Sequence, residues 1–209
     1  MRNILVITSS LMGERSKSSQ VATELVTTLR RVGVTGSVKE RALTPENMPH
    51  LSLETLGALG AAADQRSVVQ QSKVDFADSL IEEVENADVV VLAAPMYNFT
   101  IPTTLKAWLD HVARAGRTFR YNEKGQPIGL LKNKKVYAVI SRGGYYGSDD
   151  PIGVGDFQES YLRHMLRFIG LEDVTFIHIE GQAVGDEAAA KGVALARGEV
   201  QEAVVAAAA

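Results

Sequence analysis

The chain has 209 residues, of which 45% are hydrophobic and 22% charged, enough for one domain with a full core. Its net charge of -3 is spread over interspersed Lys, Arg, Asp and Glu with no long like-charge block, which excludes the electrostatic footprint of a nucleic-acid or anionic-membrane partner. With no cysteine, disulfide scaffolds, thiolate nucleophiles, Fe–S clusters and Cys-ligated zinc are excluded together, so any redox chemistry must be carried by a cofactor.

Apolar runs alternate with helical periods along the whole chain, the pattern of a parallel sheet with crossover helices. Asn3–Ser9 reads as a buried strand. Val21, Leu25, Leu29 and Val32 then recur at helical spacing, with Ser18 and Ser19 as candidate caps and Gly33 just past the end. Ser37–Leu43 is polar at alternate positions and predicts a strand at the sheet edge. The connection Thr44–Gln71 is too long for an ordinary loop, and Leu51, Leu53, Leu56 and Leu59 predict that part of it is buried. Ala77, Leu80, Ile81 and Val84 form a helix face before a third strand, Asp88–Ala94. Leu105, Trp108, Leu109 and Val112 form the next helix, with Pro102 preset for its first turn.

Thr118–Leu131 reads as a short strand, a turn around Asn122–Gly125 and a return, inserted ahead of a fourth strand, Lys135–Ser141. Phe157, Tyr161, Met165, Phe168 and Ile169 place large side chains along a helix that ends at Gly170. Val174–Ile179 is the fifth strand, and Asp186–Ala207 the closing helix. With right-handed crossovers this predicts an α/β three-layer sandwich around a five-stranded parallel sheet of order 2-1-3-4-5. No apolar run reaches the ~18–20 residues of a membrane span and no signal-peptide pattern is visible, so a soluble cytoplasmic protein is expected.

In such a sheet the ligand crevice lies at the carboxyl ends of the first and third strands, where strand order reverses. The loop after the first strand carries Ser10 and then Ser16-Lys17-Ser18 against a helix N-terminus, either a phosphate cradle or a serine-rich cap. Neither G-x-x-x-x-G-K-[ST] nor G-x-G-x-x-G is present, so a monophosphate suits it better than a triphosphate or dinucleotide. The loop after the third strand reads Pro95-Met96-Tyr97-Asn98-Phe99. The loop after the fourth reads Ser141-Arg142-Gly143-Gly144, followed by Tyr145 and Tyr146; its glycines serve either a flexible turn or close approach to a flat ligand. Arg142 pairs with a cofactor or with a surface carboxylate on equal terms. Together the three loops describe a site for FMN.

Other constellations carry little chemistry. His50, His111, His164 and His178 lack metal-ligand spacing and read as surface or packing residues, and Asp149-Asp150 ahead of Pro151 reads as a turn. No metal site and no G-x-S-x-G elbow is expected.

The segments "PMYNF" at 95–99, "SRGG" at 141–144, "SKS" at 16–18, "LDHVARAGRTFRY" at 109–121 and "EG" at 180–181 closely resemble the FMN-dependent NAD(P)H azoreductases and quinone oxidoreductases of bacteria. The resemblance covers nearly the whole chain and implies residues 1–209 as a single flavodoxin-like FMN-binding domain. It implies that Ser10, Ser16, Lys17 and Ser18 hold the phosphate and ribityl end, that Pro95 to Phe99 run along the isoalloxazine, and that Ser141 to Gly144 meet its far edge. Phe99, Tyr121, Tyr145 and Phe168 are expected to line the substrate pocket. NADH or NADPH would supply hydride through flavin N5, and quinones, azo compounds or nitroaromatics would accept it in a ping-pong scheme, an azo bond needing two cycles. A homodimer with flavin sites at the interface is expected. The competing reading is a flavodoxin-like single-electron carrier, against which the modest charge and the aromatic Thr118–Leu131 insertion argue. A receiver-type signalling module needs an acidic pocket where this chain has Ser9-Ser10.

Overall fold

The computed structural model describes residues 2–146 and 155–208; the Asp149-Asp150-Pro151 turn falls outside them. The sheet is built from β1 (Ile4–Thr8), β2 (Val38–Ala42), β3 (Val89–Pro95), β6 (Lys135–Ser141) and β7 (Asp173–Ile179), with β4 (Phe119–Tyr121) and β5 (Pro127–Gly129) forming a separate antiparallel hairpin. Its order is β2-β1-β3-β6-β7 with every pairing parallel, which is 2-1-3-4-5 when the sheet strands alone are counted. β3 sits in the centre and all seven of its residues are buried, which is why its sequence is a continuous apolar run rather than an alternation. β2 lies at the edge and is largely exposed.

Strand alternation divides the core into two layers. Ile4 and Val6 pack with α1 (Lys17–Arg31) and α6 (Asp186–Ala208), whereas Leu5 and Ile7 pack with α3 (Val68–Glu85), α4 (Thr103–Val112) and α5 (Phe157–Ile169). Trp108, which its spacing left open to core or interface, is fully buried in the second layer.

The helix ends follow local chemistry, with one correction. The N-cap of α1 is Ser16, whose Oγ accepts from Ser19 N; Ser18 and Ser19, taken from the sequence as caps, lie inside the helix. Pro102 is the N-cap of α4. α5 stops at Gly170, whose φ of 101° and contact with the hairpin admit no side chain: a Cβ there would meet the Gly129 carbonyl carbon at 2.8 Å. Leu131 N donates to Ile169 O at 3.0 Å and seats the hairpin on that end of α5.

The long connection is buried in part, at Met48, Thr55 and Ala58, but not through its leucines. It forms α2 (Leu53–Gly60) and the start of α3, but Leu53 is 88% exposed and Leu56 54%, with Leu51 and Leu59 half-buried. An amphipathic count of leucines signals a buried face without saying that this chain alone buries it.

Candidate functional site

The carboxyl ends of β1, β3 and β6 bring the three expected loops together. Ser9 Oγ donates to Ala93 O at 3.0 Å and locks the exit of β1 to β3. One residue on, Tyr97 OH accepts from Leu11 N at 3.1 Å and lies 3.4 Å from Ser10 Oγ, joining the first loop to the second. Met96 N donates to Ser141 O at 2.7 Å, joining the second to the third. The crevice is thus closed by hydrogen bonds between residues as much as 87 positions apart in sequence.

At the first loop a single turn, Gly13–Arg15, delivers the chain to α1. Ser16 N and Ser19 N are satisfied by Gly13 O and Ser16 Oγ, so the N–H groups of Lys17 and Ser18 are the two helix donors left without an acceptor among the described residues. The Ser16 and Ser18 hydroxyls, buried side by side 3.0 Å apart, complete a small cluster of donors on the positive end of the helix dipole. Lys17 is exposed and its Nζ reaches Gln20 Oε1 at 3.4 Å.

The second loop turns in two residues. Tyr97 N donates to Thr100 O and Thr100 N to Tyr97 O, and the residues between have φ of 48° (Asn98) and 71° (Phe99). That is the backbone of a type I′ turn, which favours Asn-Gly. A phenylalanine in the second position holds a left-handed conformation costing about 1–2 kcal/mol, with its ring 47% exposed. Asn98 is exposed beside it. Neither burial nor backbone preference accounts for the Phe99 ring.

The third loop is a strip of aligned peptides. Arg142 O accepts from Gln182 N, Gly143 O from Ala183 N and Gly144 O from Gly181 N, so three successive carbonyls face the turn after β7. In a planar trans peptide the N–H of the next residue points the opposite way. The N–H groups of Gly143, Gly144 and Tyr145 therefore face away from that turn, toward the β3 side, and among the described residues none of them has an acceptor.

Arg142 itself resolves in favour of carboxylates. Its side chain is 2% exposed and pairs with Asp156, Glu159 and Glu180, while its backbone N–H bonds Ile179 O. This cluster was invisible to sequence reasoning. It also contains His178, read above as a surface or packing residue, whose Nε2 lies 2.7 Å from Glu159. Hydrogen bonds to Glu159 and then Glu199 raise the His178 pKa from 6.5 to about 9, and the bond from His178 lowers Glu159 to about 2. The only local signal was Glu180 standing immediately after an apolar strand. His111 is buried, with Nε2 2.9 Å from Pro49 O, and His50 and His164 are exposed.

The expected substrate-pocket residues separate into two groups. Phe99 and Tyr145 stand at the crevice. Phe168 packs on Phe119 with centroids 4.3 Å apart, and Tyr121 lies against the same ring at 5.7 Å. α5 begins at Asp156 beside Arg142 and runs 13 residues, ~20 Å, to the hairpin, so Phe168 is at its far end within one chain.

A family model described as flavodoxin-like fold matches residues 2–204. The FMN-dependent NADH:quinone oxidoreductase 2 of Pseudomonas fluorescens is 42% identical over 202 residues, covering 97% of this chain and 99% of that protein. The FMN-dependent NADH:quinone oxidoreductase of Bordetella bronchiseptica is 44% identical over 194 residues, covering 92% of this chain and 90% of that protein. Among solved structures, an FMN-dependent NADH-azoreductase from Bacillus anthracis in complex with FMN superposes with a TM-score of 0.88 at 25% identity over 100% of both chains.

Proposed function

From a chain that belongs to the flavodoxin-like family of FMN-dependent NADH:quinone oxidoreductases, we propose an enzyme that holds FMN across the three joined loops and uses NADH to reduce quinones and azo compounds. The observation that carries the site assignment is the triple row of free N–H groups at Gly143, Gly144 and Tyr145, at the same sheet edge as the Tyr97–Thr100 turn and the donor cluster at Ser16–Ser18. A flat ligand with an anionic tail fits that set.

In this reading Ser10, Ser16, Lys17 and Ser18 hold the phosphate and ribityl end, with the two free helix N–H groups and the Lys17 charge favouring the dianion. Pro95, Met96, Tyr97, Asn98 and Phe99 run along the ring, and in the Ser141–Gly144 loop the N–H groups of Gly143 and Gly144, with that of Tyr145, donate to its far edge. When bound, FMN supplies hydride transfer between the nicotinamide and the acceptor through N5. The chain's part is orientation and charge: aligned N–H donors, fixed before reaction, favour the negative charge of the reduced state. One accessible ring face makes the two substrates take turns in a ping-pong order, and an azo bond takes two turns to reach two amines. Nitroaromatics are proposed as further acceptors, and the cytoplasm, where reduced nicotinamide is at hand, as the compartment; no helix among the described residues is long and apolar enough to cross a membrane.

The working unit is proposed to be a homodimer. Leu53 and Val68, each 88% exposed, with Leu56 and Val69, each more than half exposed, leave an apolar surface on α2 and α3 that one chain does not cover. Tyr121 is 60% exposed and remote from the crevice of its own chain, and in the proposed dimer it would line the crevice of the second copy. Purified protein mixed with NADH or NADPH and a quinone, with and without added FMN, tests the reading: FMN-dependent oxidation of NADH is expected, and a protein that binds FMN but ignores both nicotinamides is an electron carrier instead.

A further inference from the structure

We propose that Arg142 is a positioning residue for the flavin: its buried guanidinium, gripped by α5 and the end of β7, fixes the aim of the three N–H groups that follow it. The proposal rests on the FMN reading above. Nε of Arg142 donates to Gln158 Oε1 at 3.1 Å, Nη1 to Glu180 Oε1 at 3.3 Å, and Nη2 pairs with Asp156, the N-cap of α5. The bonds that Gln158 and Glu180 make onward matter as much as the charges. Gln158 is fully buried and its Nε2 donates to Ala94 O at 3.1 Å, so the fork is referenced to β3, the strand that leads into the Tyr97–Thr100 turn. Glu180 Oε1 also accepts from Tyr146 N at 3.0 Å, so the same carboxylate that holds the guanidinium closes the far end of the strip. Gly143, Gly144 and Tyr145 lie between these two anchors, on a stretch where glycine supplies no side-chain restraint of its own.

Stability alone does not account for the arrangement. A buried ion pair recovers little more than its desolvation cost, and apolar replacements of similar volume are often neutral or stabilising, whereas a planar fork with bonds to three elements fixes orientation. An arginine kept in that position, one residue ahead of the donor strip, is therefore explained by the geometry it imposes. With FMN bound as proposed, the N–H groups it aims would stabilise the negative charge of the reduced flavin, so losing the aim would weaken the reduced state more than the oxidised one.

The test titrates FMN into the apoproteins of the unmutated chain, Arg142→Lys and Arg142→Met, and measures the midpoint potential of the bound flavin beside the far-UV spectrum and melting temperature. Arg142→Met is expected to bind FMN at least tenfold more weakly with a more negative potential, and Arg142→Lys, which keeps the charge and loses the fork, to fall between. A folded Arg142→Met whose affinity and potential stay within twofold of the unmutated chain overturns the proposal, as does a lowered melting temperature with both flavin readouts unmoved. Should Arg142→Met fail to fold, Glu180→Ala cuts the grip at the other anchor and is read by the same two criteria. An unmutated chain that takes up no FMN overturns the cofactor reading itself, and this proposal with it.

Discussion

At Phe99 the chain accepts a left-handed phenylalanine where glycine would sit without strain, so stability and function are predicted to move in opposite directions. Phe99→Gly should raise the melting temperature, by relief worth about 1 kcal/mol, while lowering kcat/KM for the acceptor; a variant that loses stability and keeps its acceptor kinetics contradicts a ligand role for the ring. Phe99→Ala separates the two effects, since it removes the ring and keeps the backbone cost. At the other end of the crevice, Ser16→Ala with Ser18→Ala removes two hydroxyls and should weaken FMN by about 1–3 kcal/mol. Unchanged FMN affinity in that double variant, measured by fluorescence titration, contradicts the cradle. Part of any lost stability there belongs to Ser16 as the cap of α1, which is why affinity rather than melting is the readout.

Elements whose chemistry is local were legible before the structure. β3 reads as buried because each of its residues is apolar, β2 as an edge because its residues alternate, and the hairpin because Asn122 and Gly125 punctuate it. The three loops were placed by topology alone. What could not be read was any grouping that depends on the distance between elements: Arg142 meets Asp156 across 14 positions and Glu180 across 38, and helix phase does not say that Phe168 lies at the hairpin end of α5. The exposure of Leu53 and Leu56 was illegible for the same reason. Between α5 and β7 the Glu159–His178 pair makes stability depend on pH. The His178 pKa, raised to about 9, gives stability present below 6.5 and lost as pH rises through 9; Glu159, lowered to about 2, gives stability present above 4.5 and lost as pH falls through 2. These are two views of one pair rather than two contributions. Glu159→Gln is expected to flatten the fall in melting temperature between pH 6.5 and 9, and an unaltered slope contradicts the pairing. In α4, Trp108→Ala should cost about 3–5 kcal/mol by urea unfolding, the range for an aromatic cavity in a packed core, which marks it as core rather than interface.

For the molecule as a whole, the apolar α2–α3 surface and the remote Tyr121 predict a dimer that completes two crevices at once. Light scattering should return twice the 22.5 kDa of one chain, with activity falling on dilution and with Leu53→Asp giving a monomer of reduced activity; a fully active monomer contradicts a shared pocket. The proposed ping-pong order requires that the donor leave before the acceptor enters. The most direct test is anaerobic mixing of the FMN-loaded protein with stoichiometric NADH and no quinone, followed by addition of quinone. Complete bleaching of the flavin by NADH alone, reversed by quinone at a rate no slower than turnover, is the predicted result; a flavin that stays oxidised until quinone is present contradicts the account.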